Sequence, residues 1–269
     1  YTNGAWKLLG QPIEYYNPHT TSYNSSGSCI SNDGTIFSIV QQGDLRVFEL
    51  SQITNYASNP TYKTTTRTGN YSIRMGDISN NNTALSVTKN YTAVTHDISG
   101  TYSDSYTHYP LIGDFHTPAS STAPTSYTQL GVEISQNLGW NTGAVKLDAS
   151  GTRLLTVSTD NNNAIVYEYS HFTWSQLGDT IGPGSTNNVI RHGVISGNGE
   201  YIATIGESSD YRVYVYKYNS STNTWDDYGN PNTTNGLFVE ISYDGQTVIV
   251  SETYYNNGYS NNGRATVWE

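Results

Sequence analysis

The sequence predicts an all-β fold assembled from five tandem units, each of four short antiparallel strands. Three recurring signatures carry that expectation: a tight-turn pair placed after an apolar residue, a Val-aromatic strand, and an aromatic-Leu-Gly segment. Composition agrees with them. The chain holds 24 Tyr and 25 Gly but one Met, and only 13% of its residues are charged, which suits strands joined by polar turns better than helices. At 269 residues it is long enough to bury a large core without staples.

The turn signature appears as CISNDGT (29–35), DISNNNT (77–83), KLDASGT (146–152), VISGNGE (194–200) and EISYDGQ (240–246). The pairs at 33–34, 81–82, 150–151, 198–199 and 244–245 read as two-residue type I′ hairpin loops, because Asp-Gly and Asn-Gly tolerate positive φ at both central positions. An apolar strand follows each: TIFSIV (35–40), TALSV (83–87), TRLLTV (152–157), YIATI (201–205) and TVIVS (247–251).

The next strand carries Val and an aromatic residue in LRVFEL (45–50), AIVYEY (164–169), VYVYKY (213–218) and ATVWE (265–269), with YTAVTHD (91–97) the weakest copy. Both faces of these strands are apolar, as in a sheet covered on both sides. The aromatic-Leu-Gly segment then closes the unit: WKLLGQPI (6–13), YTQLGVEI (127–134), HFTWSQLGDTI (171–181) and WDDYGNP (225–231), with TYKTTTR (61–67) standing in where it is blurred. Its aromatic residue and Leu are expected to pack between units, and its Gly to permit a bulge or a close backbone approach.

Turn anchors recur at intervals of about 48 residues (33 to 81, 150 to 198), with one longer step where 103–124 is expected to be an inserted loop. Four-stranded units at such a period predict a five-bladed β-propeller of antiparallel blades, since one blade cannot cover both of its apolar faces alone. The blades are expected at 23–67, 70–134, 142–181, 188–230 and 235–269, all in one domain. Residues 5–13 are expected to complete the last blade and close the ring.

The order W-x-Q-L-G, I-S-x-(D/N)-G, V-Y-x-Y resembles the WD-like and FG-GAP-like propeller repeats of secreted and cell-surface proteins, over nearly the whole chain. The resemblance implies architecture rather than an activity. The D-x-D-x-D-G calcium loop of FG-GAP repeats is missing: the corresponding tips read QQGD (41–44), TDNNN (159–163), ESSDY (207–211) and TYYNNGYSNNG (253–263). No metal or other cofactor is therefore expected.

A net charge of −10 without a basic cluster gives no footprint for nucleic acid. No apolar run reaches the length of about 18 residues that spans a bilayer, so no membrane insertion is expected. The start at Tyr1 is read as a processed mature form whose signal peptide has been removed, with an excised fragment as the alternative. Cys29 is the single cysteine, which excludes an internal disulfide; it is read as a small buried hydrophobe, with an intermolecular disulfide as the alternative.

Some five-bladed propellers are glycosidases with carboxylates on their innermost strands. Aligning the units on their turns brings Cys29, Asp77, Lys146, Val194 and Glu240 to one level. Asp77 and Glu240 are the candidate acid and nucleophile, against the simpler reading that Lys146 neutralises them in a polar cluster near the axis. His108 and His116 match no zinc spacing, and His192, beside Arg191, is read as a satisfied core group. Asp160 with Asn161, Asn162 and Asn163 is read as a solvated hairpin tip rather than a cation site.

Six N-x-S/T sequons begin at Asn24, Asn70, Asn81, Asn90, Asn219 and Asn232. Asn81 and Asn219 are the two expected beside turns and exposed. Thr117, Ser120, Ser121, Thr122 and Thr125 are candidate O-glycan acceptors. These features lead to a non-enzymatic extracellular structural or interaction protein, a glycosylated surface or filament subunit whose partners are other copies or other extracellular proteins. A carbohydrate-binding propeller is the alternative, and a glycoside hydrolase the third reading. Exchange of residues 1–13 between copies would link subunits into a fibre, although closure within one chain has the higher effective concentration.

Overall fold

The computed structural model describes residues within 25–49, 85–97, 108–114, 128–182, 189–207, 212–231, 236–252 and 263–269, except 32–33, 35, 42–43, 88–91, 133, 137, 139–143 and 160. They form five antiparallel sheets in chain order. The first holds β1 (Ser25–Ile30), β2 (Ile36–Gln41) and β3 (Asp44–Glu49). The second holds β4 (Leu85–Val87), β5 (Thr92–Asp97), β6 (His108–Asp114) and β7 (Thr128–Gln129). The third is β8 (Ala144–Leu147), β9 (Arg153–Ser158), β10 (Asn163–Ser170) and β11 (Thr173–Ile181). The fourth is β12 (Val189–Ile195), β13 (Tyr201–Glu207), β14 (Val213–Asn219) and β15 (Thr224–Gly229). The fifth holds β16 (Gly236–Ile241), β17 (Val248–Glu252) and β18 (Arg264–Trp268).

Every sheet is a meander, and the first strands β1, β4, β8, β12 and β16 lie beside one another in succession. The segments 61–67 and 5–13, expected as fourth strands of the first and fifth sheets, lie outside the described residues, and with them the closure of a ring. Among the described residues no helix is long and apolar enough to cross a membrane.

The second sheet is phased differently from the sequence reading. The segment at 83–87 supplies the first strand, not the second, and 91–97 supplies the second, not the third. The third strand, β6, comes from within 103–124, which is therefore not wholly an inserted loop. Pro110, paired opposite Thr95, hid this strand, because proline inside a run argues against a strand. The Asn81-Asn82 pair precedes the first strand of its sheet and so does not mark the first hairpin.

The turns between first and second strands also differ from a two-residue loop. Gly34, Gly151, Gly199 and Gly245 have φ of +71°, +75°, +73° and +75°, and each donates its N–H to the carbonyl three residues back, at 2.8 to 3.1 Å. In the three turns described throughout, only the glycine is left-handed, as in a type I turn followed by a bulge glycine. The Ser and Asx of the motif hold this longer turn together. Ser196 Oγ accepts the Tyr201 N–H (3.0 Å) and donates to Asn198 Oδ1 (2.6 Å), which accepts the Glu200 N–H (3.0 Å). Ser242 and Asp244 repeat the arrangement on Thr247 and Gln246. In the third sheet the two residue types trade places: Asp148 Oδ1 accepts the N–H groups of Thr152 (2.9 Å) and Arg153 (2.8 Å), and Ser150 Oγ donates to Asp148 Oδ2 (2.6 Å).

Apolar side chains of the third and fourth sheets alternate between the preceding and the following sheet. Val145, Leu147 and Leu154 pack towards the second sheet with Ala93, Ile134 and Leu138. Leu155, Val157 and Val166 pack on Ile190, Ile195 and Ile202 of the fourth. Val194, Ala203 and Val215 pack in turn on Val239, Val248 and Val250 of the fifth. Each fully buried aliphatic side chain of this kind contributes about 1.5–3 kcal/mol.

Directional bonds fix how successive sheets meet. At the turn ends, Ala149 N–H donates to Gly197 O (3.0 Å) and Asn198 N–H to Tyr243 O (2.9 Å). At the outer edge, Trp174 Nε1–H donates to Leu130 O (2.8 Å) and Trp225 Nε1–H to Leu177 O (2.9 Å). The tryptophan of one sheet thus clasps the Leu-Gly of the sheet before it. Gly178 has φ of +76°, and a Cβ there would stand 2.7 Å from the Trp225 ring. The β10–β11 register shifts between Ala164 and Val166, the bulge that admits this approach.

Two glycines of like backbone geometry separate the terms. Gly34→Ala meets open space and is expected to lose about 1–2 kcal/mol for its left-handed backbone alone. Gly178→Ala adds the collision with Trp225 and should lose at least about 2 kcal/mol more. Urea unfolding of the two variants measures the difference.

Candidate functional site

The polar residues that the sequence brings to one level are placed by register. Cys29, Lys146, Val194 and Glu240 each stand one position before the end of their first strand, paired with Ser38, Leu155, Ala203 and Ile249. Lys146 Nζ lies 3.7 Å from Glu240 Oε1, so this contact links the third sheet to the fifth past the fourth. The Lys146 and Glu240 side chains are 27% and 64% exposed, and such an ion pair is worth about 0–1 kcal/mol. Asp77 lies outside the described residues, and the first strand of its sheet is β4, which Asp77 precedes. Among the described residues Glu240 faces the Lys146 cation.

Beside this pair, His192 on β12 is half-buried, and its Nδ1 is buried without a hydrogen-bond partner in the protein. Its ring meets Phe238 edge-on, with centroids 5.7 Å apart at 75°. Burial pushes the imidazole from 6.5 down to about 4, and the Lys146 charge adds to the shift. The expectation of a satisfied core histidine is thus corrected: His192 is half-buried and its Nδ1 has no hydrogen-bond partner. Phe238 itself is 62% exposed. Lys146, His192, Phe238 and Glu240 together make a shallow mixed patch with one cation, one anion, a neutral imidazole and an aromatic face.

The remaining candidates are dispersed. Cys29 is half-buried on β1. His108 lies on β6. His116, Asp160, Asn24, Asn70, Asn81, Asn90 and Asn232 lie outside the described residues, as do Thr117, Ser120, Ser121, Thr122 and Thr125. Asn219 ends β14 at a hairpin, where its Nδ2 donates to Asp226 Oδ2 (2.8 Å) and its Oδ1 accepts the Ser221 N–H (3.1 Å). The Asn219 bond, then Thr224, holds the Asp226 carboxyl below its ordinary value. Asp244 is likewise lowered, first by Ser242 and then by the Gln246 N–H. Among the described residues no three His, Cys, Asp or Glu side chains are placed to hold a metal.

Two features escaped the sequence reading. Phe238 carries no motif, and its position beside His192 follows only from the packing of β12 and β16. Phe172 is 81% exposed at the β10–β11 tip, where His171 and Phe172 adopt φ of +49° and +64°. These are the backbone angles of a type I′ loop, built without the usual Asn or Gly.

No family model matches the chain, and no curated protein matches it in sequence. Its likeness is to solved structures. TolB from Acinetobacter baumannii superposes with a TM-score of 0.53 at 14% identity, over 91% of this chain and 51% of that one. Atg21, solved as the complex of KlAtg21 with the coiled-coil of AgAtg16, gives 0.55 at 11% identity, over 85% and 63%. The Cps50 (Swd1) β-propeller domain of Myceliophteria thermophila gives 0.51 at 8% identity, over 87% and 65%. The chain spans about half to two thirds of the length of these structures. Stacked antiparallel meanders with this likeness define an all-β protein of the β-propeller class. At such identities the likeness carries the fold alone.

The His192 shift sets a pH dependence with a definite sign. Above about pH 6.5 the residue is neutral whether folded or unfolded and adds none. As pH falls below 6.5 the unfolded chain takes up a proton that the folded chain refuses, so stability declines until about pH 4, where the folded imidazole also charges. The expected loss is about 1–3 kcal/mol. The lowered Asp226 and Asp244 release their contribution only as pH falls below their ordinary value of 3.8, outside this window. Denaturant unfolding from pH 7 to pH 4 should show the decline, and His192→Gln should flatten it.

Proposed function

We propose that the chain is a non-enzymatic extracellular scaffold of the β-propeller class, a surface or filament subunit that presents a rigid body to other copies or to other extracellular proteins. One observation supports this above the rest: the repeated polar and aromatic signatures are spent on joining sheets. Ser196, Asn198, Asp148 and Asp244 hold turns, and Trp174 and Trp225 clasp the preceding sheet. In this reading five sheets act as five blades, and residues 5–13 supply a fourth strand beside β18. Asn219 begins the one sequon among the described residues; it is half-buried rather than exposed as expected, and in this reading it receives a glycan in place of its bond to Asp226.

A carbohydrate-binding role is the second reading. It is favoured by exposed aromatic rings at Phe172, Tyr228 and Tyr243, which offer flat faces for sugar rings.

The scaffold reading expects no turnover on a panel of polysaccharides and aryl glycosides, and no change in Glu240→Gln. Turnover that Glu240→Gln abolishes would replace it with the hydrolase reading. A glycan array with saturable binding lost in Phe172→Ala or Tyr243→Ala would replace it with the lectin reading. In material from its native source, peptide mass spectrometry is expected to find a hexosamine-based adduct on Asn219.

A further inference from the structure

We propose that the outward face of the fifth sheet is an assembly surface for the first sheet of a second copy of this chain, joining copies head to tail. The inference deepens the scaffold reading and rests on it.

The strand alternation gives every sheet a face towards its predecessor and a face towards its successor. In the fourth sheet the successor face includes Val194, Ala203 and Val215, which are 2%, 0% and 4% exposed beneath the fifth sheet. Register assigns the equivalent positions of the fifth sheet without ambiguity. Val194 pairs with Ala203 and Ala203 with Val215, just as Glu240 pairs with Ile249 and Ile249 with Val267. Yet Ile249 and Val267 are 43% and 57% exposed, and Phe238, on the same face of β16, is 62% exposed. At Ile249 and Val267 the fifth sheet therefore carries one half of another sheet-to-sheet joint that the described residues leave exposed, while Phe238 and Glu240 on the same face reach back to His192 and Lys146.

The first sheet carries the other half. Ile30 occupies the register position of Leu147, Ile195 and Ile241, the last residue of each first strand, which faces the preceding sheet. Leu147 and Ile195 are each 8% exposed there, whereas Ile30 is 62% exposed. Both half-joints stand open on one molecule, so they do not cover each other. They differ from one another, which makes their contact heterologous and able to propagate.

Chain order supports the same occupant. The last strand of the third sheet leads directly to β12, and that of the fourth directly to β16, the strand that packs on the sheet just left. Residues 5–13 stand in this order before β1. When a first sheet docks on a fifth sheet of another copy, they fall beside that copy's β18, where an added strand gains main-chain hydrogen bonds.

Size-exclusion chromatography with light scattering on the full chain tests this. Mass is expected to rise with concentration in steps of the 29.6 kDa chain, with rods or large rings in negative-stain images. Ile30→Lys, and separately Ile249→Lys with Val267→Lys, should each yield a monomer with unchanged circular dichroism. An equal mixture of the two variants should stop at the dimer, because each keeps one intact face. The milder pair Ile30→Ser and Val267→Thr should raise the assembly midpoint about tenfold without unfolding. A wild-type monomer at every concentration overturns the inference in favour of closure within one chain, and so does assembly that survives either set of lysines. Those outcomes leave the scaffold reading standing, since that reading fails on catalytic turnover or specific sugar binding.

Discussion

A sheet that is apolar on both faces has to be covered on both faces, and this requirement organises the molecule. In the third sheet Leu154 points one way and Leu155 the other, and both are fully buried. The fourth sheet repeats this with Ile202 and Ala203. Neither sheet can exist as an independent unit in water, because one of its faces would always be wet. Each therefore recruits the next in the chain, and the array extends for as long as neighbours are supplied. Low charge and abundant Tyr follow from this requirement, since most strand positions are contacts rather than solvated surface.

Apolar burial has no direction, so it cannot fix the rotation of one sheet on the next. The two sets of bonds at the ends of the joint do that. Backbone bonds from turn to turn hold the inner end, and the Trp225 clasp on Leu177 and Gly178 holds the outer end. Arg153 adds a third tie, donating to Gly199 O at 2.9 Å while its Nε bonds Glu168. A joint pinned at both ends resists sliding and twisting together. Rigidity of that kind is what the proposed scaffold role would need.

The architecture was legible where its local chemistry is local in sequence. Ser-x-Asx-Gly marks a turn whose hydrogen bonds all fall within six residues, and the Asp148/Ser150 exchange preserves them, so the third copy stays recognisable. The level of Lys146 and Glu240 follows from the same turns by counting back. The second sheet was misphased because Asn81-Asn82 mimics the turn while Pro110 disguises β6. The exact turn type was missed because a glycine in a left-handed conformation serves both loop classes. His192 and Phe238 belong to different sheets, and their contact depends on how two sheets are rotated, which no local pattern encodes.

The first and fifth sheets show the covering rule at faces that the described residues leave exposed. Repeat proteins ordinarily blunt their end units by placing polar groups on the outer face. The fifth sheet does so at Glu240, the position equivalent to buried Val194, but not at Ile249, Val267 or Phe238. One carboxylate, already engaged by Lys146, stands among three exposed apolar side chains. The opposite end has Ile30 where the third and fourth sheets bury Leu147 and Ile195. A capped array would show polar substitution at both ends. Apolar residues are thus retained at the positions that make the joints between the second and fifth sheets, and the proposed assembly surface follows from the same covering rule.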